Sequence, residues 1–453
     1  MARDNIIHKL EDWSLVPENI NFPKNIDLFD FEHSLGVHRY DGKLWTSGYV
    51  GVGRLYDEKG NVIQTKGKEH VVVIKPQKTV INPWKMLEVV MADEEYDSYI
   101  SELENSGKFL FKIFYEQPVI KLAQDSQNDG DLLYAISFIS SCYSLCKKGL
   151  RKEMIYKEEN YGSKVKGKIN VKKNIRENTC RGRNDRFYCK FIDFTDDNIE
   201  NRILKATLQK SKKIIEKKIG INNTIYKQYQ FCMNALKHVR DIQIKSSDFT
   251  KASASGLYMY YKPALKQAKA IYGQKYLSYK AENGETITSS VYTTPYIINM
   301  ETLFEFYVRA LLRKRLPAVG CELVSYSEKI CLEDGIDNPN DAEKGIHLMP
   351  YCIPDIIIRD KGTQETVAVM DVKYKNHERA SRSDSLQLLS YVLLTGVSSC
   401  GFIFPNGNTQ IKSFKNGGSD YLKIRTPFVN ELKYFELLMG NEVDDSILKN
   451  IIS

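Results

Sequence analysis

Residues 354–391 constrain this chain more than any other stretch. Pro354-Asp355 opens an apolar run, Ile356-Ile357-Ile358, and a polar, Gly-containing turn follows from Arg359 to Thr366. A second apolar run, Val367-Ala368-Val369-Met370, ends in Asp371-Val372-Lys373. Two short runs rich in β-branched residues around a polar turn predict a hairpin with a carboxylate at one end of each strand. Side chains alternate along a strand, so Asp371 and Lys373 share a face. Asp355, at the start of the partner strand, can reach the same end.

Two acids converging beside a lysine suit metal-dependent phosphodiester hydrolysis. Carboxylates hold a hard, oxygen-seeking cation. The cation lowers the pKa of a bound water and neutralises charge developing on the phosphate. A lysine can position or deprotonate that water and stabilise the oxyanion. The pattern PD…DxK resembles the PD-(D/E)xK nuclease superfamily, and two further segments extend the resemblance. Gln387 and Tyr391 stand at i and i+4 on one helix face, similar to the QxxxY signature of one branch of these nucleases. An amphipathic helix beginning near Glu301 places Glu305 where the superfamily keeps a first-helix acid. Gly401-Phe402-Ile403-Phe404-Pro405 suits the next core strand. The order matches an αβββαβ plan, with one strand expected between Pro317 and Leu332. The competing reading is a structural hairpin with solvated turn acids.

The rest of the chain bounds the function. Its 453 residues, 42% hydrophobic and 27% charged, describe a globular protein with room for two or three domains. Nothing approaches the apolar length of a membrane helix, and the N-terminus has no apolar signal core, so a cytoplasmic protein without a membrane partner is expected. Nine cysteines form no C-x-x-C and the seven histidines no ligand cluster. Between Lys147 and Lys190, fifteen Lys/Arg face five Asp/Glu, a net of +10 against +8 for the whole chain. Such a segment can follow a phosphate backbone or be a solvated basic face.

Residues 1–35 read as an entry segment with one short helix, and residues 38–78 as a small antiparallel β unit. Gly48, Gly51 and Gly53 there suit bulges or close strand packing. Residues 83–150 and 196–245 read as helical. Gly162-Ser-Lys-Val-Lys-Gly167-Lys168 matches the start of a phosphate-binding loop. Ile169 stands where Mg²⁺ binding requires Ser or Thr, so no nucleotide is expected on this chain alone. Tyr258, Tyr260 and Tyr261 beside Lys262 suit either base stacking or packing at a seam.

A narrower resemblance then emerges. Tyr49-Val-Gly-Val, Gly149-Leu-Arg, Val165-Lys-Gly-Lys-Ile, Arg181-Gly-Arg-Asn-Asp-Arg-Phe, Asn201-Arg-Ile-Leu-Lys, Tyr261-Lys-Pro-Ala-Leu, Leu303-Phe-Glu305 and the PD…DxKYK…QxxxY block together resemble the McrC family. That family supplies the nuclease subunit of McrBC-type modification-dependent restriction systems. The resemblance implies Mg²⁺ (or Mn²⁺) held by Asp355, Asp371 and Glu305, with Lys373 assisting the attacking water and Gln387 orienting Lys373 or the DNA backbone. It implies double-stranded DNA as substrate and an McrB-like AAA+ GTPase hexamer as the partner that reads modified cytosine. Arg181, Arg183, Arg186, Lys166 and Lys168 become candidates for touching that partner or the DNA.

The expected organisation is α/β. A β-rich then helical partner-docking domain spans 1–150, a basic and mainly helical region 151–290, and a PD-(D/E)xK domain 291–453. Two other classes fit the same features: a non-cleaving assembly subunit of a ring NTPase, and a stand-alone repair nuclease.

Overall fold

Asn299 ends one strand and begins the helix on which the candidate first-helix acid sits. Its side chain accepts from the amides of Glu301 and Thr302 at 3.1 and 3.3 Å, satisfying two of the free donors at the start of the Met300–Arg315 helix. This is seen in a computed structural model that describes residues 5–17, 35–57, 59–77, 82–122, 130–252, 254–282, 291–326, 330–331, 351–352, 354–375, 381–406, 408–413, 433–440 and 442–452. Contacts divide the chain into two units: Met1–Gln127 with Asn222–Thr224 and Thr288–Ser453, and Asn128–Ile221 with Ile225–Ile287. The architecture is mixed α/β.

The first unit holds two six-stranded sheets. In one, Asn5–Glu11, Lys68–Lys75, Tyr49–Arg54, Tyr296–Asn299 and Phe111–Ile113 lie side by side in that order, and Gln64–Thr65 pairs with Lys68–Lys75. Asn5–Glu11 runs parallel to Lys68–Lys75, where the sequence suggested a helix-bearing entry segment. Its period-two signal is faint because one of the inward positions is a histidine: His8 and Leu10 are buried, Lys9 and Glu11 are not. Residues 18–34 of that segment lie outside the described residues. The glycines of Tyr49–Arg54 serve close packing. A Cβ on Gly51 would stand 2.1 Å from the Tyr296 main-chain oxygen on the neighbouring strand.

The second sheet runs Cys321–Leu323, Ile356–Asp360, Thr366–Val372, Ser399–Pro405, Lys433–Met439 and Gln410–Ser413. Ile356–Asp360 and Thr366–Val372 form the expected antiparallel hairpin, with Ile356 opposite Met370. Asp360 accepts from the amides of Gly362 and Thr363 at 2.8 and 2.9 Å, an Asx turn that reverses the chain. Thr366–Val372 then pairs in parallel with Ser399–Pro405, Asp371 opposite Phe402. A parallel pair needs a crossover, and the Arg382–Thr395 helix supplies it. Leu388, Tyr391 and Val392 of that helix bury against Val369, Cys400, Phe402 and Phe404. Each such side chain removed from water contributes roughly 1.5–3 kcal/mol.

The second unit has its own three-stranded sheet, Lys168–Ile169, Arg186–Thr195 and Glu153–Gly162, beside the long helices Gly130–Lys148, Ile199–Lys218 and Lys262–Glu282. Its two ten-residue strands fall in the stretch read as mainly helical. Both are rich in charge and largely solvated, so no buried apolar run marks them. Cross-strand pairs hold them instead: Tyr161 against Phe191 at 5.6 Å, and Lys157 with Asp193 and Lys190 with Glu158, each at 2.8 Å. The GxxxxGK stretch is a turn into this sheet: Gly167 has φ +73°, and Lys168–Ile169 pairs with Cys189 and Lys190. Among the described residues no helix is long and apolar enough to cross a membrane.

Candidate active site

The hairpin sets the geometry. Asp355 stands just before Ile356–Asp360, and its Oδ2 accepts from the main-chain amide of Val372 at 2.7 Å. That bond ties the first acid to the peptide immediately following the second, Asp371. Asp371 is 1% exposed. Its compensation is ionic: the Lys373 Nζ lies 2.7 Å from Oδ2. Two residues along an extended strand return to the same face, so the pair is built into the D-x-K spacing.

Lys373 in turn reaches Gln387, donating to Oε1 at 3.4 Å, and Gln387 donates from Nε2 to the Tyr391 hydroxyl at 2.6 Å. The i, i+4 spacing of Gln387 and Tyr391 on one helix makes that second bond local. The sequence-derived acids, lysine, glutamine and tyrosine therefore form one run across the strand end and the crossover helix.

Electrostatics add Glu305 to the group. Burial pushes Glu305 up to about 7; Arg309 and Lys108 pull it down and the charge of Asp371 raises it. Burial, then the charges of Glu305 and Asp371, hold Asp355 well above the ordinary carboxylate range. Burial also raises Asp371, against the pull of Lys373. Like charges forced together in a poorly solvated place disfavour ionisation, and a divalent cation relieves that cost. Among the described residues no three His, Cys, Asp or Glu side chains stand close enough to enclose a metal ion. Glu305, Asp355 and Asp371 are thus not a preformed cage. A hard cation such as Mg²⁺ binds through one or two carboxylates and completes its shell with water and substrate phosphate, and a donor set of this kind fits it.

The structure adds residues that sequence reasoning passed over. Arg309, one turn beyond Glu305 and 2% exposed, donates to the main-chain oxygens of Asp355 at 2.6 Å and Val324 at 2.7 Å. The i+4 spacing from Glu305 was its only signal. Asp384 pairs with Lys375 at 3.0 Å and stands 3.8 Å from Lys373, inside a capping box with Ser381. The Ser-Arg-Ser-Asp start of that helix was legible as a box, but its second use was not. Glu301 was passed over as well; burial raises its carboxyl, and the nearby Lys375, Lys373 and Lys108 draw it back.

The basic candidates belong to the other unit. Arg181 and Arg186 are 60% and 46% exposed, with loose pairs to Glu177 at 3.4 Å and Asp185 at 3.9 Å. Arg183 and Lys168 are exposed, and the Lys166 ammonium sits 4.0 Å from the Phe191 ring centre. On the same small sheet Met154 faces Phe194 and Tyr156 faces Ile192. All four are exposed, Tyr156 at 87%. Strictly alternating apolar residues on a solvated face are an unusual expenditure of surface. Tyr258, Tyr260 and Tyr261 pack on one another, with Tyr261 fully buried and its hydroxyl donating to Asn201 at 2.8 Å.

Comparison with known proteins gives a family. A family model described as McrBC 5-methylcytosine restriction system component matches residues 108–405. A search of curated proteins finds no match. Among solved structures, the chain is similar to a refined half-complex from a tetradecameric assembly of Thermococcus gammatolerans McrB AAA+ hexamers with bound McrC. Identity is 15% over 99% of this chain and 100% of that one, with a TM-score of 0.37. A cryo-EM structure of the Thermococcus gammatolerans McrBC complex matches at 16% identity over 69% of this chain and 88% of that one, TM-score 0.30.

Proposed function

The chain belongs to the family of McrBC 5-methylcytosine restriction system components, and from that premise we propose that it is the nuclease subunit of such a system. In this reading it is an endodeoxyribonuclease that requires Mg²⁺ (or Mn²⁺) and an McrB-like AAA+ GTPase hexamer, whose GTP hydrolysis it stimulates. Its substrate is modified double-stranded DNA, including that of phage.

One juxtaposition carries the reading. A buried carboxylate, Asp371, lies 2.7 Å from an ammonium on the same strand face, and a second acid, Asp355, is bonded to the next peptide. Buried acids that raise one another, with one ammonium among them, suit a cation and a phosphate. The succession of Met300–Arg315, Cys321–Leu323, Ile356–Asp360, Thr366–Val372, Arg382–Thr395 and Ser399–Pro405 supports a PD-(D/E)xK core, since it follows that superfamily's αβββαβ order.

Asp355 and Asp371 would hold the cation, with Glu305 adding negative potential. Bound there, the cation supplies an activated water and neutralises charge on the phosphate. Lys373 faces the reacting phosphate and stabilises its developing charge. Gln387 holds Lys373 in place and Tyr391 anchors Gln387. The exposed apolar side chains of the Glu153–Gly162 and Arg186–Thr195 strands, with the exposed Arg181 and Arg186, support a partner contact on the second unit.

The test is cleavage of methylated and unmethylated plasmid with Mg²⁺, with wild type and Asp371→Ala, with and without the AAA+ protein and GTP. Cutting that needs the partner, GTP and Asp371 is the expected result. Cutting without a partner would make the chain a stand-alone nuclease. GTPase stimulation with no cutting by either form would make it an assembly subunit.

A further inference from the structure

Tyr374 follows Lys373, yet its side chain is tied to the far end of the sequence. Its hydroxyl donates to Asp12 Oδ2 at 2.6 Å, across 362 residues of chain. Tyr374 is 4% exposed and Asp12 1%. Asp12 is itself fixed twice from the adjoining strand end. Its Oδ1 accepts from the Gln77 amide at 2.9 Å, and its own amide donates to the Lys75 oxygen at 3.0 Å. Gln77 Nε2 also donates to the Asp12 main-chain oxygen at 2.7 Å. The carboxylate is thus held on both oxygens by donors from two sheets of the same unit.

The ring of Tyr374 meets the helix that carries Glu305. It lies 5.9 Å from that of Phe304, which precedes Glu305 on the Met300–Arg315 helix. The amide of Lys373 donates to the Ile403 oxygen at 2.9 Å, so the main chain here still belongs to the sheet after Thr366–Val372 has formally ended at Val372. Beyond Lys375 the described chain stops until Ser381. Among the described residues the Tyr374 hydroxyl thus makes a direct hydrogen bond between Asp12, at the end of the Asn5–Glu11 strand, and the segment carrying Lys373.

We propose that Tyr374 and Asp12 are positioning residues for Lys373: a buried, charge-assisted strut by which the N-terminal sheet sets the end of the Asp371–Lys373 strand. The inference rests on the nuclease reading for its consequence in cleavage, but not for the strut itself. It makes the N-terminal sheet part of the site's scaffold rather than a separate docking module, so a partner bound to that sheet can alter the placement of Lys373 without touching it.

Tyr374→Phe keeps the ring and removes only the donor. In the full-length chain, free of metal and partner, hydrogen exchange of the 371–375 amides should accelerate about tenfold, the scale of a lost charge-assisted bond. Exchange within Ser399–Pro405 should stay as it is. With partner, GTP and Mg²⁺, kcat for cleavage should fall by a similar factor while KM for DNA is unchanged. Asp12→Asn, which keeps one acceptor oxygen and loses the charge, should fall between wild type and Tyr374→Phe in both. Should Tyr374→Phe fail to fold, Asp12→Ala, which removes both acceptor oxygens from the Tyr374 hydroxyl, is read in the same way. Unchanged exchange at 371–375 in the folded variant, or acceleration spread equally over Ser399–Pro405, overturns the strut. A wild-type chain that never cuts overturns the nuclease reading alone, because the exchange measurement still reports on Tyr374.

Discussion

The Lys373 ammonium stands 2.7 Å from Oδ2 of Asp371, a carboxylate that is only 1% exposed. The charge of a nearly inaccessible acid is therefore met by one neighbour two residues away. The two partners of such a pair are not equivalent under mutation. Lys373→Ala leaves a buried carboxylate uncompensated and should cost about 1–3 kcal/mol of stability as well as cleavage. Asp371→Asn also abolishes cleavage but relieves the repulsion among Asp355, Glu305 and Asp371, so its melting temperature should equal or exceed that of wild type. Calorimetry on both variants decides this. Equal losses would mean that the acids are not in mutual repulsion.

Arg309 holds the other acid through its main chain rather than its carboxylate. Its guanidinium also reaches Val324, lies 3.7 Å from Glu95 and stacks 5.2 Å from Tyr326. Replacing it with Met preserves volume while leaving two carbonyls without their donor; Glu95 keeps Arg313. The expected cost is about 1–3 kcal/mol for each carbonyl left unsatisfied. A urea melt measures it, through a lower midpoint at unchanged slope. Arg309→Lys should rescue little, because a point charge cannot replace a fork that reaches two oxygens.

Asp12 gives the fold a pH dependence. Burial raises its pKa to about 6 from an ordinary 3.8, although the bonds from Tyr374 and Gln77 oppose the rise. A raised folded-state value means that the folded chain binds more protons than the unfolded chain between those two values. Stability therefore falls as pH rises through roughly 4 to 6, and the penalty is complete above the folded pKa. At about 1.36 kcal/mol per unit the span is at most about 3 kcal/mol. Asp12→Asn should flatten this part of the profile, so the difference in melting temperature between wild type and variant should change between pH 4 and 7. Parallel profiles over that range would show that Asp12 does not titrate there.

The geometry of the candidate site was readable because its parts are local. D-x-K fixes Asp371 and Lys373 on one face, and Q-x-x-x-Y fixes Gln387 beside Tyr391, by strand and helix geometry alone. What escaped was long-range or polar. Asn5–Glu11 gave no clean alternation because His8 and Asp12 occupy buried positions, and buried polar residues look exposed in a sequence. Arg309 read as one more cation on an amphipathic helix until its carbonyl partners were placed. The Glu153–Gly162 and Arg186–Thr195 strands are stabilised by pairs across the sheet, and those pairs depend on a register that no single segment encodes.

Those strands yield the final prediction. Met154, Tyr156, Ile192 and Phe194 are 65%, 87%, 51% and 62% exposed, and the register places them in two facing pairs. Side chains this exposed contribute little to the fold, so Tyr156→Ser with Phe194→Ser should change stability by only about 0.5 kcal/mol per site. If the patch meets the AAA+ partner, aromatic side chains at its centre are the natural anchors. Their loss should then weaken binding by tenfold or more, about 1.4 kcal/mol. Titrating the double variant into the partner and following GTP turnover separates the cases. A rightward shift with an undiminished plateau marks a docking surface, whereas a lowered plateau would place these residues in the stimulation itself. An unchanged curve would assign the patch to something other than this partner and leave Arg181, Arg183 and Arg186 as the contacts to test by charge reversal.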